Sequence, residues 1–215
     1  MKKIAILASL ASVLVFSAQA SNNNTTAATE VTKPAAARGY KVDVAKSDVK
    51  WHAKKVTGEH MGNISLKSGE LDVAGNKVKG GSFVIDMSSI TCTDIKDAEY
   101  NGKLIGHLKN DDFFSVDKHP TATFKITSLK PIAKAAAGKP NHTVTGDLTI
   151  KGITKPVTFP ATITVNNGVA TAKADVVIDR TKYDIKYASK SFFDSIGDKA
   201  IYDDFTVSIN LTAKQ

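Results

Sequence analysis

Side chains able to do covalent or metal chemistry are few in this 215-residue chain, and none is spaced for it. The five histidines, His52, His60, His107, His119 and His142, show no His-x-x-x-His pattern. The single cysteine, Cys92, stands in Ile90-Thr-Cys-Thr-Asp94 with no base at a motif distance. Zinc ligands characteristically come as closely spaced pairs, and a serine nucleophile would sit in a Gly-x-Ser-x-Gly turn that this chain lacks. The sequence therefore predicts no catalytic residue, no metal site and no cofactor, and a lone cysteine forms no internal disulfide. The polar chemistry that remains is recognition. Arg180 carries a planar fork of donors suited to a phosphate or carbonyl oxygen, and His60 and His107 are secondary candidates for the same task. Structural roles compete with these readings. Arg180 could pair with Asp86 or Asp198 across strands, since neighbouring Asp179 would point to the opposite face, and the histidines could make ordinary hydrogen bonds.

Strands must position these groups, because period-two alternation dominates the chain. From His142 to Ile150, the row Val144, Gly146, Leu148 and Ile150 alternates with Thr143, Thr145, Asp147 and Thr149. Beyond a Lys151-Gly152 turn the apolar row resumes with Ile153, Val157, Phe159, Ala161, Ile163 and Val165. Asn166-Asn167-Gly168 then permits the positive φ of a tight hairpin, and Ala170 to Ile178 form the next strand. Phe205, Val207, Ile209, Leu211 and Ala213 alternate in the last one. In the first half, Val49, Trp51 and Ala53 mark one strand and Ile64 and Leu66 another, which switches parity to Leu71 and Val73 at an expected bulge near Gly69. Val78 to Met87, running through Gly80-Gly81, and Ala122 to Ile126 read as two more. Alternation lapses from Asp94 to Pro120, where Asp97 to Lys109 reads as helix, and again from Ser191 to Asp204, a second irregular or helical insert. Periodicity alone allows a sandwich or a barrel; size favours a closed ring whose interior is either filled or wide enough for one slender ligand. The prediction is an all-β fold: a closed antiparallel β-barrel of about eight strands with one or two short helical inserts.

Lys2 and Lys3, an apolar run from Ile4 to Phe16 and Ala18-Gln19-Ala20 read as a secretory signal over residues 1–20, cleaved near Ala20. Residues 21–38 are small and polar and read as a disordered linker, leaving 39–215 as one domain. The expected location is periplasmic or secreted. The formal charge is +8, from 29 basic and 21 acidic residues, with the lysines dispersed among the acids along the chain. That pattern argues against nucleic acid and allows peripheral contact with an anionic membrane surface. Oligomeric state is left open, a homodimer included.

Several segments, in order, are specific enough to carry a resemblance: Val49-Lys-Trp51, Thr57-Gly-Glu-His60-Met-Gly62, Gly80-Gly-Ser-Phe83, Gly106-His107 through Asp112-Phe-Phe114, Pro120-Thr-Ala-Thr-Phe124, Thr145-Gly-Asp through Gly152, Ile178-Asp-Arg180-Thr and Gly197-Asp-Lys-Ala-Ile201. Together they resemble the YceI family across residues 39–215. The resemblance implies a lipocalin-like, exported barrel that encloses a polyisoprenoid or another long-chain amphiphile, such as an isoprenoid quinone or a fatty-acid derivative, and it brings no enzymatic mechanism. On that reading the lipid-binding candidates are Trp51, Phe83, Ile85, Phe124, Phe159 and Phe205 on the inward rows, with Phe113 and Phe114 in the first insert. Ala170, Ala172 and Ala174 would form a small-residue wall past which a tail could run. The adjacent aromatics Phe113-Phe114 and Phe192-Phe193 cannot both follow strand parity, so they are candidates for covering a cavity mouth; anchoring of the inserts is the alternative. Two rival functions stay open: an exported structural or stress-response interaction module with a filled barrel, and an enzyme acting on an isoprenoid lipid.

Overall fold

The computed structural model describes residues 38–215. The expected signal over 1–20 and linker over 21–38 lie outside the described residues, except that Arg38 opens the first strand instead of ending the linker. In chain order the elements are β1 (Arg38–Val42), β2 (Asp48–Lys55), β3 (Gly58–Ala74), β4 (Lys77–Asp86), α1 (Ala98–Lys109), β5 (Thr121–Pro131), β6 (His142–Ile150), β7 (Ile153–Asn166), β8 (Val169–Asp179) and β9 (Ile201–Lys214).

Every pairing is antiparallel, and from β2 onward each strand pairs with the next. Closure comes from β9, which returns to pair with β1 through Lys41 and Lys214 and with β2 through Asp48 and Asn210. β1 and β2 occupy one gap between β3 and β9, interrupted by a 3-10 turn at Val44–Lys46. The ring therefore has eight staves, the first of them broken, as the alternation predicts.

Sequence chemistry explains the register. Along β6, Val144, Gly146, Leu148 and Ile150 are buried while the intervening residues are not. Threonines on the outer face meet across strands, Thr145 with Thr158 at 2.9 Å, Thr149 with Thr154 at 2.8 Å and Thr164 with Thr171 at 2.7 Å, the kind of cross-strand pair that stabilises a sheet by a few tenths of a kcal/mol to about 1 kcal/mol. Lys151-Gly152 and Asn167-Gly168 both take positive φ at both turn residues, the two-residue geometry that follows strand twist.

Two boundaries differ from expectation. The parity switch in β3 is a bulge at Lys67, between the pairs Leu66–Ile85 and Ser68–Val84; Gly69 instead lies under the Phe83 ring, where a Cβ would stand 2.7 Å from Cδ1. The second insert runs from Arg180 to Ala200 and not from Ser191 to Asp204, because β9 already begins at Ile201. Its first residues are hidden by a break in the β2–β9 ladder, where two steps along β2 from Ala53 to Lys55 match four along β9 from Phe205 to Ile201.

The barrel ends are closed differently. At one, Tyr40, Leu71, Val73, Ala170 and Ala213 pack into a compact floor. At the other, the 87–120 connection with α1 and the 180–200 insert fold over the opening. Asp97 caps α1 by accepting the Tyr100 N–H at 2.9 Å, and Leu104 and Leu108, one turn apart, bring the helix down onto the core.

Candidate functional site

Inward parity normally means burial, yet inward-facing Ile85, Phe124, Ile126, Val157, Ile163 and Val207 all keep accessible surface. The surface they keep faces a cavity of about 230 Å³ in the barrel axis, whose exposed wall is wholly apolar. Its extent is axial: Met87, Ile90 and Leu108 line it under the helical end, and Leu71, Val78 and Leu211 line it above the floor. For scale, an apolar cavity of roughly 150 Å³ stays dry and admits benzene.

Most of the sequence-predicted wall is assembled here. Trp51, Phe83, Ile85, Phe113, Phe114, Phe124, Phe159 and Phe205, together with Ala172 and Ala174, line the cavity. Phe124 lies between Phe83 and Phe159, at centroid distances of 6.3 and 5.7 Å, and its ring lies across Gly146, where any Cβ would collide with it. Trp51 is fixed by its indole N–H, which donates to Thr91 O at 2.9 Å over the bare backbone of Gly62. Met87, Ile90 and Leu108 were not among the sequence candidates; the four-residue spacing of Leu104 and Leu108 was the signal available for the last of them.

Other candidates fall elsewhere. Ala170 is fully buried in the floor beside Ala213, outside the cavity wall. Phe192 and Phe193 are 47% and 52% exposed and turn away from the cavity, so they are not its lid; a short turn hydrogen-bonded to Ser189 O holds both outward.

The head-group candidates are committed to protein. His60 Nδ1 lies 2.8 Å from Asp94 Oδ2. His107 Nε2 lies 3.1 Å from Asp112, with its ring edge-on to Phe113 and Tyr187. Neither histidine lines the cavity. Arg180 does touch the wall and is 4% exposed, but its five N–H donors all have partners. Nε donates to Tyr202 O, Nη1 to Ile185 O and Tyr187 O, and Nη2 to Ile201 O and Asp203. Its acid is Asp203, at 3.3 Å, and neither Asp86 nor Asp198, because the side chain turns back across its own insert. Burial lowers the Arg180 pKa, and the Asp203 and Asp179 carboxylates oppose that. Among the described residues one buried polar side-chain atom lacks a partner, the Tyr183 hydroxyl, and burial, reinforced by Asp179, pushes this phenol up to about 12.

The broken β2–β9 ladder lies between the cavity and an outer recess. Tyr202 and Phe205 belong both to the cavity lining and to an outer recess shared with His52, Lys54 and Asp203. Exposed Tyr187, Phe192 and Phe193 lie on the adjoining segment, which reaches β9 through the bond from Ile201 N to Ala188 O.

A family model described as a YceI-like domain matches residues 40–213. Two solved structures share the architecture. Burkholderia cenocepacia BcnA aligns with a TM-score of 0.54 and 25% identity, over 80% of this chain and 99% of that one. A polyisoprenoid binding domain from Saccharophagus degradans, implicated in plant cell wall breakdown, aligns with a TM-score of 0.59 and 17% identity, over 81% of this chain and 97% of that one. Among curated sequences, a UPF0312 protein of Ectopseudomonas mendocina is 46% identical over 55 residues, a stretch that spans only 26% of either chain.

Proposed function

Because the chain belongs to the YceI-like family, we propose that its barrel binds a long-chain amphiphilic lipid, a polyisoprenoid, isoprenoid quinone or fatty-acid derivative, and carries or stores it without chemical change. The observation that carries this reading is the accessible surface kept by inward-facing side chains around an apolar cavity in the barrel axis. The Saccharophagus structure, with the same fold, is described as polyisoprenoid binding. Lys173, Arg180 and Tyr202 are the lining residues with ionisable side chains, and the surface exposed to the cavity is apolar.

Energetics favour reversible carriage. At about 0.8 kcal/mol per CH₂, transferring a forty-carbon tail from water would nominally pass the affinity ceiling near 20 kcal/mol. Such a tail normally resides in a bilayer, so its transfer exchanges one oily medium for another and leaves a small net preference. We place the site of action in the periplasm or outside the cell. Organic extraction of the purified protein followed by mass spectrometry is expected to yield about one long-chain amphiphile per barrel. An extract without lipid from a stable protein that also takes up none from vesicles would favour the interaction-module reading.

Loading of the folded barrel from a membrane requires contact with a bilayer. Exposed Phe192 and Phe193, with Lys186 Nζ 5.2 Å from the centre of the Phe192 ring, offer aromatic insertion beside a cation that can meet anionic headgroups. Changing both phenylalanines to serine is expected to reduce co-sedimentation with phosphatidylglycerol vesicles by about tenfold. Unchanged co-sedimentation would remove this surface from the proposal.

A further inference from the structure

The segment after β4 lies along the outer edge of β3. Thr91 N donates to Asn63 O and Thr93 N to Met61 O, both at 2.9 Å, and Gly62 makes room for it, since any side chain there would strike Thr91 O. This pairing brings Cys92 and Asp94 up against His60, more than thirty residues earlier in the chain. Cys92 Sγ is 3.2 Å from Asp94 Oδ1, His60 Nδ1 is 2.8 Å from Asp94 Oδ2, and the three potential ligand atoms all lie within 4.8 Å of one another.

We propose that His60, Cys92 and Asp94 form a binding site for a thiophilic divalent cation of the zinc class, with a fourth position open to water. Ligand bonds of about 2.0–2.3 Å to tetrahedral zinc set the ligand atoms roughly 3.3–3.7 Å apart, so small side-chain shifts suffice. The mixture of sulfur, imidazole and carboxylate selects zinc-like ions over magnesium or calcium, which take oxygen alone.

The surroundings are built for holding ligands. Met61 N–H donates to Asp94 Oδ1 at 2.8 Å, and the Asn101 amide donates to the carbonyls of Cys92 and Ile95 at 3.0 and 2.9 Å, outer contacts of the kind that orient ligands. Cys92 is buried, while the side chains of His60 and Asp94 are 31% and 26% exposed, so an ion enters past them. On binding, the thiol proton passes to solvent and the thiolate bonds the metal, with no change in oxidation state. The ion would then pin the segment carrying Ile90, part of the cavity wall.

The test uses the full purified chain, stripped with chelator and titrated with Co²⁺ as an optical probe. Saturation at one equivalent is expected, with a sulfur-to-cobalt charge-transfer band that Zn²⁺ abolishes. Cys92→Ser should lose the band, and it should also lose the zinc-dependent rise in melting temperature, measured against its own metal-free form. Should that variant fail to fold, His60→Ala, at a partly exposed side chain, must weaken Co²⁺ binding at least tenfold. Absence of the charge-transfer band at saturation, a zinc effect on melting that survives in Cys92→Ser, or unchanged affinity in His60→Ala overturns the site. Lipid content, read by extraction of the same samples, reports on the barrel separately.

Discussion

An Ala172→Glu variant is expected to purify with its lipid content reduced about a hundredfold, because a carboxylate facing an apolar cavity costs several kcal/mol to desolvate. Ala172 faces the cavity from β8, flanked across the ladder by Ile163 and Leu211. The control is one residue away. Thr171 faces outward, bonded to Thr164, and Thr171→Glu should retain its lipid. The companion Ala172→Leu separates an open interior from a packed one by the sign of its effect on stability. In a filled core the added carbons force strain costing about 1–3 kcal/mol; in an open cavity they bury apolar surface and stabilise the unliganded barrel by about 1–2 kcal/mol, while displacing lipid. Urea melts of lipid-free protein decide it, and a destabilised Ala172→Leu would sink the cavity.

The second large effect lies at Arg180. Arg180→Ala should destabilise the protein by about 3–5 kcal/mol, the usual consequence of removing one member of a buried charged network. It leaves the carbonyls of Ile185, Tyr187, Ile201 and Tyr202 without this donor and Asp203 without its cation. Arg180→Lys should recover less than half of that, since three donors on a point charge cannot reach five acceptors arranged around a planar fork. The measurement is the urea midpoint at constant slope. A loss below 1 kcal/mol would mean that the insert is held by its apolar contacts alone. Lipids with and without a charged head group should be affected alike, because no donor of this fork faces the ligand.

These two residues mark what the sequence disclosed and what it withheld. Ala172 was readable, because burial on one face of a strand imposes alternation and the ladder carries that face to the cavity. Strands β6 to β8, their Gly-containing turns and α1 were legible for the same local reasons. The sequence left Arg180 open between a head group and an acid, and its actual partners stayed hidden because four of the five are backbone carbonyls, which every residue possesses and no side-chain pattern reveals. The start of β9 was hidden where the ladder breaks, since Tyr202, Asp203 and Asp204 do not follow the apolar alternation resumed at Phe205. His60, Cys92 and Asp94 escaped motif inspection because their proximity is set by a strand-edge pairing between distant segments. Phe192 and Phe193 were correctly singled out as breaking parity, but parity says nothing about which way an irregular segment turns.

The broken first stave has a consequence for how the molecule is made. Its two halves seal against the final strand, Lys41 against Lys214 and Trp51 against Val207, so the circle joins the beginning of the domain to its end. Such a contact is among the most distant in sequence that this chain can form, and distant pairings make folding slow. Without the last fourteen-residue strand, the ring could not close and its apolar face would stay open. On the proposed function, a lipid held against that face would be enclosed by the same step that completes the ring.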